Sequence, residues 1–166
     1  MKKQIINLEN LEFHDWSHGD NFAGRMGEIG QAVGAEKLGY NLTVVPAGKR
    51  AFPMHCHYAN EEMFLILEGS GEIRMGDECF PVRKGDVINC PAGGPDTAHQ
   101  IINTMEEGEL KYLAVSTTLS PEICQYADTG KTLVSHYPPP GGIGTETLRL
   151  ILREGEGDTD YWDGEM

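Results

Sequence analysis

Two histidines one residue apart, His55 and His57, stand just ahead of two glutamates, Glu61 and Glu62, in the stretch HCHYANEEMFLILEGSGEI, residues 55–73. Strand side chains alternate between faces, so His55 and His57 point the same way. If the next strand begins at Glu62, then Glu62, Phe64 and Ile66 share one face, and Met63, Leu65 and Leu67 share the other. A carboxylate at the entrance to a buried strand is costly unless it is paired, protonated or bound to a cation. Two imidazoles delivered beside it make a cation the simplest answer. His-x-His followed by Glu is a nitrogen and oxygen ligand set for a first-row divalent metal.

Short strands must carry these groups. The 166 residues suit one compact domain, and 21 Gly with 9 Pro promise many turns. From Tyr40 onward strand-like runs come quickly: YNLTVV, EMFLILE, EIRM, ECFPV, VINC, HQIIN and LKYLAVST. Gly76-Asp77 between EIRM and ECFPV is a hairpin signal. Runs this short and regular predict an all-β sandwich or small barrel. Residues 1–37 read as a polar, glycine-punctuated arm lying across the barrel, with Phe13, Trp16 and Phe22 as its large side chains. Residues 38–136 read as the barrel. Residues 137–166 read as a Pro/Gly-rich connection and an acidic tail, within which TETLRLILRE is too short for its period to show. It is expected to be a short irregular or helical segment, with Thr145 as a candidate N-cap.

Composition excludes some partners. A formal net charge of −13 argues against nucleic acid and anionic membrane surfaces, which are bound by clustered Lys and Arg. No stretch reaches the roughly 20 apolar residues of a membrane span. Cys56, Cys79, Cys90 and Cys124 form no C-x-x-C pair, and the N-terminal residues lack the apolar core of a signal peptide. A cytoplasmic protein with reduced thiols is expected, each thiol a small buried hydrophobe. His14 and His18, four apart beside Trp16, and His136 read as surface residues.

The residues from 48 to 103 resemble the cupins. The first cupin motif, G-x5-H-x-H-x3,4-E-x6-G, is met by Gly48, His55, His57, Glu62 and Gly69, with six residues rather than five after Gly48. Its Glu-to-Gly spacing selects Glu62 over Glu61. The second, G-x5-P-x-G-x2-H-x3-N, is met by Gly85, Pro91, Gly93, His99 and Asn103, with five residues, GPDTA, rather than two before His99. The resemblance extends to about residues 38–118. It implies a double-stranded β-helix, the cupin jelly roll, and carries over His55, His57, Glu62 and His99 as ligands of one divalent transition metal: Fe, Mn, Ni or Zn. Asn103 is carried over as a scaffold residue. The segment that includes PAGGPDTAHQIINT looks like that of single-domain bacterial cupins, some of which bear a sugar-phosphate isomerase label.

The resemblance therefore implies an enzyme acting on a small oxygenated substrate such as a sugar or sugar phosphate. The same four ligands serve Fe(II) dioxygenases and non-catalytic small-molecule binders, so they do not discriminate among the three. No general acid or base is assignable: Tyr58 and Glu61 lie near the ligands in sequence, but Glu61 belongs to the face opposite Glu62. Lys49-Arg50 and the amides of Gly93-Gly94 are the donors a phosphate would find nearby. Apolar residues on both faces of MFLILE and QIIN leave one face to be covered, which predicts a homodimer.

Overall fold

The computed structural model describes residues 4–137, 147–153, 155 and 162–164. Its strands are β1 (His14–His18), β2 (Phe22–Gly27), β3 (Leu38–Pro46), β4 (Cys56–His57), β5 (Glu62–Glu68), β6 (Ser70–Met75) and β7 (Glu78–Arg83). They continue as β8 (Val87–Cys90), β9 (His99–Ile102), β10 (Glu109–Thr117), β11 (Glu122–Tyr126), β12 (Lys131–His136) and β13 (Leu148–Arg153). One short helix, α1 (Ile29–Val33), follows β2.

One layer is a six-stranded sheet in the order β1-β2-β3-β10-β5-β8. The other combines β13-β12-β11-β4 with β7-β6-β9, stitched together by the bridge His55–His99. This is the all-β jelly roll expected from the sequence. Period-two alternation fills the space between the layers: Phe64 and Ile66 of β5 meet Ile73, Ile88, Ile101, Leu110 and Tyr112 in one core. The hairpin turn at Gly76-Asp77 forms where expected. Gly76 adopts φ +55°, a conformation a side chain would resist.

Part of the N-terminal arm is strand. β1 and β2 pair as a hairpin, and β2 pairs with β3, so the arm widens the first sheet. Trp16 anchors it. Its ring stacks on Phe52 at 5.1 Å, and its Nε1 donates to the Ala51 carbonyl at 3.1 Å. Gly24 makes room for the ring, since a Cβ there would lie 2.6 Å from it.

Two expectations are corrected. Leu148–Arg153, expected to be irregular or helical, is a strand in continuous antiparallel register with β12, from His136–Leu148 to Lys131–Arg153. The open edge of β12 offers backbone partners to a six-residue apolar run, and tertiary pairing decides what local pattern leaves ambiguous. Thr145 lies outside the described residues. Cys79 is exposed rather than buried, because it sits on the edge strand β7; Cys56, Cys90 and Cys124 are buried as expected, and all four thiols are free.

Candidate metal centre

The alternation that places hydrophobes in the core also delivers the candidate ligands. Met54 and Cys56 point outward into a small cluster with Ala98, which turns His55, His57 and His99 inward. All three histidines thus come from one layer. Glu62, at the start of β5, comes from the opposing layer on the same face as Phe64 and Ile66.

One ligand atom from each of His55, His57, Glu62 and His99 lies within 4.8 Å of the others. Opposite ligands at about 2.0–2.2 Å from an ion would be roughly 4.2 Å apart, so the cluster closes on a cation with shifts of a few tenths of an ångström. Solvent reaches it beside His57 and Glu62, whose side chains are 19% and 17% exposed, while His99 is 3% exposed. Phe64 packs beneath, its ring 5.6 Å from that of His99 and from that of Tyr112.

Hydrogen bonding orients the rings. Nδ1 of His55 donates to the Pro53 carbonyl at 2.7 Å, Nδ1 of His99 faces the Thr97 carbonyl at 3.4 Å, and Nδ1 of His57 donates to Glu122 Oε1 at 3.2 Å. With the proton on Nδ1, each Nε2 lone pair is free to face the cluster. Nε2 of His99 lies 2.9 Å from Glu62 Oε2, and Nε2 of His57 lies 3.4 Å from it without a hydrogen bond. Lone pairs that close to a carboxylate repel unless a proton or a cation stands between them. This donor set fits a divalent transition metal.

The electrostatics carry the same signature. Burial, then the neighbouring imidazoles His99 and His57, press the pKa of His55 down to about 4. Burial opposes charge on His57 too, but Glu122 and Glu62 outweigh it and raise its pKa to about 10. Burial works against the Glu62 carboxylate, yet the imidazoles of His57 and His99 beside it hold its pKa well below the usual range. Burial raises the nearby thiols Cys90 and Cys124 to about 12, and neither belongs to the four-residue cluster.

Other residues singled out in the sequence lie elsewhere. Asn103 is fully buried, its Nδ2 donating to the carbonyls of Val45 and Gly108 at 2.8 and 3.2 Å, which is a scaffold role. Glu61 is exposed and Tyr58 donates to Gln125 Oε1 at 2.8 Å. Two of the phosphate donors suggested by sequence are engaged: Lys49 Nζ holds the Asp20 carbonyl at 2.6 Å, and the Gly93 amide holds the His57 carbonyl at 2.8 Å. His14 and His18 are exposed on β1, about 13 Å apart at strand rise, too far to share an ion. His136 is exposed. Glu122 was missed, because it lies far from both motifs in a stretch with no metal-ligand spacing. A surface depression of about 400 Å³, lined by Asp15, Trp16, Arg25, Val44 and Glu109, shares no residue with the cluster.

Residues 41–116 match the family model of the cupin domain. That stretch is a cupin domain. Over 60 residues the chain is 43% identical to an uncharacterised protein of Methanocaldococcus jannaschii, 36% of this chain and 45% of that protein's length. Over 57 residues it is 35% identical to quercetin 2,3-dioxygenase of Bacillus subtilis, 34% of this chain and 17% of that enzyme. The chain therefore spans less than half of either relative. A solved structure from Acidithiobacillus ferrooxidans, provisionally named a sugar phosphate isomerase, superposes with a TM-score of 0.76 at 22% identity, covering 95% of this chain and 96% of that one. At that identity the likeness speaks to the fold. Among the described residues no helix is long and apolar enough to cross a membrane.

Proposed function

We propose that His55, His57, Glu62 and His99 hold one divalent transition metal and that the cupin is an enzyme isomerising a small oxygenated substrate, a sugar or sugar phosphate. The observation that carries the metal reading is the approach of four ligand atoms to within 4.8 Å from two opposing sheets. A divalent cation bound there supplies Lewis-acid polarisation of a carbonyl or hydroxyl oxygen. An ion held by these four side chains would be open to substrate oxygens where solvent reaches the cluster, beside His57 and Glu62. Phe64 and Tyr112 keep the opposite side dry. With Lys49 and the Gly93 amide engaged, recognition in this reading rests on the substrate's carbonyl–hydroxyl end. The isomerase is the reaction that the name of the Acidithiobacillus ferrooxidans protein suggests, and the fold shared over nearly the full length is what links the two chains.

A second reading, an Fe(II) dioxygenase, is favoured by the identity shared with quercetin 2,3-dioxygenase. Two measurements separate the readings. Elemental analysis of protein purified without chelators, against His55→Ala/His99→Ala, tests the centre: about one metal per chain in the wild type and none in the variant are expected. Incubation of aldoses and ketoses, free and phosphorylated, in D2O tests isomerisation by deuterium incorporation. Oxygen uptake with a flavonol or catechol and no deuterium exchange would sink the isomerase in favour of the dioxygenase.

The reading includes a homodimer in the cytoplasm, where four free thiols stay reduced. Leu148, Leu150, Ile151 and Leu152 on the edge strand β13 are 44–48% exposed. β13 carries Arg149 and Arg153 and no acid, so it is a favourable place for two chains of charge −13 to meet. Antiparallel pairing with the same strand of a second copy covers both the apolar side chains and the open backbone edge.

A further inference from the structure

Only one of the three inward imidazoles turns its outer nitrogen to a charged group. His55 and His99 face the backbone carbonyls of Pro53 and Thr97, whereas His57 Nδ1 meets the carboxylate of Glu122 at 3.2 Å. Glu122 arrives from β11, adjacent to β4, and is 7% exposed. Its second oxygen, Oε2, is buried with no hydrogen-bond partner among the described residues. Ser135 stands directly opposite Glu122 in the β11–β12 register, and its Oγ is likewise buried without a partner. Residues paired across an antiparallel ladder share a face, so the two unsatisfied oxygens lie on the same side of the sheet.

We infer that Glu122 is a positioning residue for the centre, fixing His57 as the Nδ1–H tautomer with Nε2 turned toward Glu62, and that Ser135 backs it from β12. The inference rests on the metal-centre reading above. Charge supports it as well as geometry. Two buried carboxylates, Glu62 and Glu122, with three neutral imidazoles sum to −2, and a divalent cation brings the buried group to zero. Removing the Glu122 charge leaves an uncompensated positive charge in a poorly solvated place, which weakens binding of the cation. An outer carboxylate on a ligating histidine also raises its basicity, and loss of such a partner lowers metal affinity by about 10–100-fold.

The test uses Co(II), titrated by visible absorption against a competing chelator, in the wild type, Glu122→Gln and the surface control Glu109→Gln. Glu122→Gln is expected to bind about 10–100-fold more weakly with a shifted visible spectrum, and Glu109→Gln to match the wild type. Should Glu122→Gln fail to fold, the wild type decides. In zinc-loaded protein with ¹⁵N-labelled histidine, His57 is expected to be bound through Nε2 and protonated at Nδ1. Unchanged Co(II) affinity and spectrum in Glu122→Gln, or metal on Nδ1 of His57, would each overturn the inference. A wild type that takes up neither ion overturns the metal-centre reading itself, and the inference with it.

Discussion

His55 and His99 exchange both of their backbone hydrogen bonds, the His55 amide reaching the His99 carbonyl at 3.2 Å and the His99 amide the His55 carbonyl at 2.8 Å. This single bridge sets two imidazoles side by side, with ring centroids 4.8 Å apart. It also joins the two halves of one sheet. A slip of one residue would turn His99 outward and bring Ala98 in its place, so the register is a condition of the cluster. Glu62 then closes it from the other layer.

An ion held between opposing layers ties them together. Saturating the metal-free protein with the cognate cation at a hundred times its Kd is expected to add about 2.7 kcal/mol, a rise in Tm of roughly 5–10 °C for a chain this long. Differential scanning calorimetry with and without chelator checks this, and His99→Ala should abolish the difference. An equal rise in His99→Ala would place the ion elsewhere.

The metal-free protein should have a narrow stability optimum. His55 titrates at about 4 when folded against about 6.5 unfolded, so stability falls as pH drops from 6.5 towards 4. Glu62, held below its ordinary range, adds to that loss as the pH falls through the acid range. His57, raised to about 10, contributes fully below pH 6.5, and that contribution is lost as pH climbs towards 10. The metal-free protein is therefore expected to be most stable near pH 6.5 and to weaken on both sides. In the loaded protein the cation replaces the His57 proton, and the alkaline loss should vanish. Melting curves from pH 5 to 9.5 check it; identical alkaline slopes with and without metal would refute it.

Asn103 separates scaffold from centre. Its amide bonds the Val45 and Gly108 carbonyls, and its Oδ1 accepts from the Met105 amide at 3.0 Å. Asn103→Ala leaves those buried groups unsatisfied, at a cost of about 1–3 kcal/mol. Urea denaturation should report that loss while metal content stays at the wild-type level. A variant that loses metal but not stability would make Asn103 part of the centre.

Dimerisation through β13 has a direct check. Light scattering at micromolar concentration should give twice the chain mass for the wild type and the chain mass for Leu150→Lys/Leu152→Lys. A wild-type monomer removes the dimer from the reading.

The barrel was legible because its strands from β5 to β10 are short apolar runs separated by glycine turns. Expected and observed bounds agree to within two residues: EMFLILE is β5 and VINC is β8. The four ligands were legible because two fixed spacings bracket them. Glu122 was not, since its place beside His57 depends on β11 pairing with β4 across a long stretch of chain, which no local pattern records. β13 escaped for a related reason. Its six residues carry no clean period, and their conformation is set by the edge of β12. The β1–β2 hairpin was hidden by its glycines, which weaken strand propensity but at Gly24 admit the Trp16 ring.

The segment between Gly93 and His99, three residues longer than the motif spacing, curls into a short turn at Pro95–Thr97. One end is pinned by the Gly93 amide on the His57 carbonyl, and the other by the Thr97 carbonyl beside His99 Nδ1. Anyone redesigning that loop to admit a different molecule would be pulling on two imidazoles at once. Selectivity at the rim and grip on the ion cannot be tuned independently there, so directed evolution of this region should select paired changes, one reshaping the turn and a second restoring the rings.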